Sequence, residues 1–92
     1  MIEETIEDYF CRRVKETGGE VRKVTWPGRR GAPDRLAGWW NKGHVFVELK
    51  RPGGRVEAHQ QREHIKLRAI GLPVAVVYTK EGVDALVERY RP

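Results

Sequence analysis

Apolar positions at the start of the chain recur every three to four residues, with Ile2, Ile6, Tyr9, Phe10 and Val14 forming one stripe. That period predicts a helix with one buried face, and Gly18-Gly19 closes it. From Glu20 to Trp26 polar and β-branched residues interleave, which predicts a strand. Prolines and glycines punctuate the segment Pro27 to Pro33 at both ends and mark it as a loop. Asp34 to Trp40 reads as a second strand, and Asn41-Lys42-Gly43 as a tight hairpin turn. The run His44 to Lys50 is β-branched and nearly continuously apolar, as expected of a central strand covered on both faces. After the flexible segment Arg51-Pro52-Gly53-Gly54-Arg55, a helix is predicted from Glu57 to Ile70, with Gly71 as its stop. One of its faces carries Gln61, Ile65, Ala69 and Leu72, the other Gln60, His64 and Leu67. Pro73 to Tyr78 is a short buried strand, and Asp84 to Tyr90 a closing helix.

The predicted order is α-β-β-β-α-β-α. A helix between the third and fourth strands implies that those two run parallel, so the fold class is α/β with a mixed central sheet flanked by helices. No repeat or linker interrupts it, and residues 1–92 read as one domain. A domain of this length buries only roughly 60–65% of its unfolded surface, so its core is modest and an oligomeric partner would help it.

Charge and cysteine usage narrow the class. The longest uncharged stretch, Ala69 to Thr79, is too short to span a bilayer, and the acidic Met1–Asp8 segment is unlike a secretion signal. Cys11 has no partner for a disulfide and cannot hold zinc alone, which suggests a buried thiol in a reducing, cytoplasmic setting. The net charge is +5 and the pI about 9.7. Between Arg22 and Arg35 five basic residues stand against Asp34, a local balance of +4. A polyanion is the partner such a balance suggests.

The third strand carries the anomaly. Glu48 and Lys50 lie two apart, on the face of Phe46, at the end of an apolar run. Burying a carboxylate and an ammonium costs free energy unless each finds a partner. Glu-x-Lys alone also describes a solvent-facing ion pair at a strand end. Asp34 adds weight, because a hairpin from Asp34 through the Asn41–Gly43 turn returns to Glu48 and brings two carboxylates to one end of adjacent strands. They could share a divalent ion. A turn-initiating or capping aspartate is the plainer reading of Asp34. Oxygen donors without a cysteine or histidine cluster favour Mg2+ or Mn2+ over zinc. His44, His59 and His64 lack paired ligand spacing on one element.

Gly31-Ala32-Pro33-Asp34, Phe46-Val47-Glu48-Leu49-Lys50 and Gln60-Gln61-Arg62-Glu63-His64 together resemble the stand-alone, phage-type VRR-NUC nucleases of the PD-(D/E)xK, restriction-endonuclease-like superfamily. The resemblance runs from the first helix to the fourth strand. It implies that Asp34, Glu48 and the main-chain carbonyl of Leu49 hold the metal, that Lys50 sits beside the attacking water, and that Gln60 supports the site, with Gln61 one residue away as the rival. It further implies a glutamate from the first helix, which Glu7 matches best and Glu3 next best; a solvated helix glutamate is the plain alternative. A 5′-phosphate product, a homodimer and a likeness to Holliday-junction resolvases are also implied, in a bacterial or phage-infected cell.

The mechanism expected from these charges is metal-assisted hydrolysis of a DNA phosphodiester. A divalent ion polarises a phosphoryl oxygen and acidifies a bound water, while Lys50 orients that water or stabilises the developing charge. Arg29, Arg30, Arg35, Lys42, Arg51 and Arg55 fall in loops or at strand ends and could clamp phosphates of branched or duplex DNA; any one of them could equally be a solvated surface charge. Trp26 could stack on a base. Of Trp39 and Trp40, which face opposite ways, at least one should be core or interface. Two cuts across a four-way junction need two symmetric sites, hence a two-fold dimer. A nicking nuclease without junction preference and a non-catalytic DNA-binding module are the other readings.

Overall fold

The computed structural model describes residues 3–92, so Ile2 of the apolar stripe lies outside the described residues. Helix α1 spans Ile6–Glu16. The Thr5 hydroxyl caps it by accepting from the Asp8 N–H at 3.1 Å, and Glu7 and Asp8 occupy the first turn, where the helix dipole favours negative charge. Gly18, at φ 86°, ends it by donating its N–H to the Lys15 carbonyl at 3.0 Å. A glycine takes that left-handed conformation without a side-chain clash.

Three antiparallel strands follow: β1 (Gly19–Lys23), β2 (Arg35–Trp39) and β3 (His44–Leu49). Helix α2 (Ala58–Ala69) crosses over to β4 (Val74–Val77), which pairs parallel with β3, and α3 (Lys80–Tyr90) closes the chain. The sheet order is β1-β2-β3-β4. This is the α-β-β-β-α-β-α order and mixed sheet that the hydrophobic pattern predicts.

Among the described residues two boundaries differ by three residues or more, the others by about one. β1 ends at Lys23: Val24 makes one last cross-strand bond, its N–H to the Asp34 carbonyl at 3.0 Å, and the chain then leaves the ladder, with the Trp26 indole N–H turned to the Pro33 carbonyl at 2.7 Å. α3 starts at Lys80, ahead of the predicted Asp84, because Thr79 caps it by accepting from the Gly82 N–H at 3.0 Å. Gly82 looks like a helix breaker in sequence, but a first-turn residue has no intrahelical N–H bond to lose.

Alternation divides the sheet. Ala37, Trp39, Val45 and Val47 point to one face and pack with Phe10 and Val14 of α1 and Val83, Leu86 and Val87 of α3, all buried. Trp39 donates its indole N–H to the Thr17 hydroxyl at 2.8 Å, whereas Trp40 is 85% exposed. Cys11 is half-buried at the edge of this core. The other face is covered only in part: Phe46 is half-buried beneath Trp26, their rings 5.2 Å apart. So β3 is fully covered on one face only. Among the described residues no helix is long and apolar enough to cross a membrane.

Candidate active site

Arg35 pairs with Val47 and Leu36 with Phe46 across β2 and β3. The same register carried one step further sets Asp34 opposite Glu48, where β2 begins and β3 ends. Both then share the face of Leu36 and Phe46, the face that α2 overlies. Lys50, two residues past Glu48, joins them; its main-chain N–H bonds to the Val77 carbonyl at 2.9 Å and extends the parallel ladder. The loop ahead of Asp34 is docked on α2. Arg29 pairs with the buried Glu63 carboxylate, its Nε 3.2 Å from Oε2. Gly31, at φ 87°, lies so close that a Cβ there would sit 2.8 Å from the His59 carbonyl.

Glu48 is the unusual group. Its side chain is only 14% exposed, with Oε2 at 3.9 Å from Lys50 Nζ and Oε1 at 3.9 Å from His64 Nε2. Both separations exceed hydrogen-bond length, so among the described residues the carboxylate accepts no hydrogen bond. Burial pushes its pKa above the usual glutamate value; Lys50 opposes that, and Asp34 adds to it by repulsion. A mostly buried carboxylate with unused lone pairs, facing a second carboxylate, fits a hard divalent cation. Among the described residues no group of three His, Cys, Asp or Glu side chains is placed to hold a metal ion by itself, so such an ion would also draw on main-chain, water or substrate oxygens.

Lys50 Nζ donates to Gln60 Oε1 at 2.9 Å. The same oxygen accepts from the Glu57 N–H at 2.9 Å, within the capping box that starts α2. Gln61 instead donates to the Val56 carbonyl at 3.2 Å. Of the two glutamines, Gln60 is the one at Lys50.

Glu7 reaches this end of the sheet from the opposite layer. Its Oε1 accepts from Arg35 Nη2 at 2.8 Å, and Arg35 Nη1 lies 3.2 Å from Asp34 Oδ2. The hydrogen bond from Arg35 holds the Glu7 carboxyl below the usual range. Glu3 lies 4.0 Å from Lys80 and takes no part in this chain of contacts.

Two of the expected phosphate-binding residues sit elsewhere. Arg35 is 9% exposed, because alternation turns it to the core face, and its guanidinium is engaged by Glu7 and Asp34. Lys42 occupies the hairpin turn beyond the far end of β2, an end that itself lies about 17 Å from Asp34 at ~3.3 Å per strand residue. Arg29 is tied to Glu63. Arg30, Arg51 and Arg55 are exposed and make no ion pair among the described residues. Trp26 is half-buried with its N–H engaged, so its ring lines the sheet face beside the carboxylates.

His64 is a residue at the site to which the sequence pattern assigns no role. It is 2% exposed, and burial lowers its pKa, helped by Arg68 and Lys50 and opposed by Glu63. The signal for it is its i+4 spacing from Gln60, which places both on one face of α2.

No protein-family model matches the chain. A curated protein of Acyrthosiphon pisum secondary endosymbiont phage 1, named "Putative nuclease p44", is 40% identical over 79 residues, covering 86% of this chain and 85% of that protein. A solved structure described as "VRR_NUC domain" superposes with a TM-score of 0.79 at 38% identity, covering 89% of each chain.

Proposed function

The chain belongs to the VRR-NUC nuclease family, and from that premise we propose that it is a divalent-metal-dependent endonuclease that hydrolyses DNA phosphodiesters. The observation that carries this reading is the convergence of Asp34, Glu48 and Lys50 on one face at one sheet end, with the Glu48 carboxylate mostly buried and accepting no hydrogen bond.

Asp34, Glu48 and the Leu49 carbonyl would hold Mg2+ or Mn2+. The bound ion supplies Lewis acidity towards a phosphoryl oxygen and a more acidic water. Lys50, held by Gln60, presents a positive charge to the oxygens on which negative charge develops. Arg35 neutralises part of the carboxylate cluster and orients Asp34, while Glu7 orients Arg35. Arg30, Arg51 and Arg55 are the exposed cations best placed to receive the DNA backbone.

The substrate proposed is branched DNA, cut by a homodimer. One chain carries one such cluster, and a four-way junction needs two cuts related by two-fold symmetry. The test is incubation of the purified protein with a synthetic four-way junction and with linear duplex, in Mg2+, in Mn2+ and in EDTA. Metal-dependent cutting of the junction in preference to the duplex is expected. Equal cutting of both would leave a nicking nuclease. Binding without cutting, untouched by Lys50→Ala, would leave a DNA-binding module.

A further inference from the structure

His64 is the group beside the carboxylates that the metal-assisted chemistry leaves unused. Its Nε2 is buried and has no hydrogen-bond partner among the described residues. Buried ring nitrogens without a partner are uncommon in native proteins. The Glu48 Oε1 atom lies 3.9 Å away, within reach of a sub-ångström adjustment of either side chain. Gln60 and His64 are four apart on α2, about 6.0 Å along its axis. Glu48 and Lys50 are two apart on the strand they face, about 6.6 Å. The two spacings match, so one helix face meets both members of the Glu48-x-Lys50 pair. Gln60 already holds Lys50. His64 stands at Glu48.

We propose that His64 is a positioning residue for Glu48: its Nε2–H donates to the Glu48 carboxylate and fixes which way that carboxylate turns towards Asp34 and the divalent cation. The inference rests on the metal-dependent reading of the site. A neutral N–H suits the task because, unlike a second ammonium, it does not repel the ion. Ligating carboxylates are themselves commonly hydrogen-bonded by a neighbouring group, whose loss weakens metal affinity.

The test needs no DNA. Mn2+ binding is measured by calorimetry on the full chain, as wild type, His64→Leu and His64→Gln, alongside thermal unfolding in EDTA. His64→Leu should weaken Mn2+ binding by about 10- to 100-fold while the unfolding temperature in EDTA stays near that of wild type, since leucine fills the same buried site with apolar volume. His64→Gln, which restores an N–H at that reach, should recover most of the affinity. Tight Mn2+ binding by wild type and His64→Leu alike would overturn this inference alone; no binding by wild type would overturn the parent reading and this one together. If His64→Leu does not fold, the ring nitrogens of the wild type decide the matter by NMR in Mg2+. A proton on Nε2 is expected, and a bare Nε2 with the proton on Nδ1 would overturn the assignment.

Discussion

Lys50 Nζ sits 2.9 Å from Gln60 Oε1, and that one oxygen also receives the Glu57 N–H that opens α2. Helix start and ammonium placement therefore share a single acceptor. The sheet supplies the charge, the helix cap aims it, and a change at Gln60 acts on both.

Gln60→Ala should lower stability by about 1 kcal/mol, because the Glu57 N–H loses its side-chain acceptor at the helix start. It should also reduce kcat, since Lys50 loses the partner that orients it. Gln60→Glu keeps an acceptor for both donors and should restore stability. Thermal unfolding and single-turnover cleavage of a junction substrate separate the two effects. A Gln60→Ala protein with wild-type kcat would break the link between cap and ammonium.

Glu48→Gln should abolish most activity, on the order of 10²- to 10³-fold for a charged group at the reacting centre. The metal-free protein should nevertheless become more stable at neutral pH. Burial raises the Glu48 pKa in the folded state, so the wild-type chain loses stability as pH climbs from the unfolded-state value through the folded one. Glutamine does not titrate. The gain in unfolding temperature should grow as pH rises above the unfolded-state glutamate value of about 4.3 and should vanish well below it, where the carboxyl is protonated in both states. Parallel melts in EDTA across that range read the sign directly.

Arg51→Ala and Arg55→Ala should each flatten the dependence of DNA affinity on salt, by about 0.9 in the log–log slope for each phosphate left without its cation. Arg35→Ala should leave that slope unchanged, because Arg35 is buried between Glu7 and Asp34. It should instead impair cleavage, as Asp34 loses its tether. Binding titrations in rising KCl distinguish the two kinds of arginine. A slope change with Arg35→Ala would move it back to the DNA surface.

The period of apolar residues made the element order legible, and the Asp34–Glu48 hairpin followed from counting residues out to a turn and back. What stayed hidden was which face each cation takes. Arg35 is adjacent to Asp34 in sequence, yet it turns to the core face, where its guanidinium meets Glu7 as well as Asp34, a consequence of register that charge counting does not see. Lys42 belongs to the turn that made the hairpin recognisable, and a hairpin necessarily puts its turn at the end away from its open strands. The Arg29–Glu63 pair joins positions 34 residues apart, across a loop whose path no local pattern encodes. His64 was visible as Gln60's companion on α2, but its unpartnered nitrogen emerges only once Glu48 is seen opposite.

Arg29 and Glu63 give the prediction on which the placement of Asp34 turns. Arg29 precedes Asp34 in the loop, and its guanidinium is the partner of a buried carboxylate on α2. The hydrogen bond from Arg29 holds the Glu63 carboxyl below the usual glutamate range, so the pair adds stability above the unfolded-state value, and that stability fades as pH falls through the folded one. Arg29→Met leaves Glu63 buried without its cation. The variant should melt below wild type at pH 7, with the gap closing as the buffer is acidified. Cleavage should fall as well, because the loop that presents Asp34 loses its anchor on α2 while Lys50 and Gln60 stay in place. Arg29→Met,Glu63→Met, which removes both charges, should recover stability, since an apolar pair suits a buried site better than one unpaired carboxylate. Had Arg29 been a phosphate clamp instead, Arg29→Met would weaken DNA binding and its salt dependence while leaving the melting temperature where it was. Melts of the single and double variants, set beside a salt titration of each, decide between these outcomes.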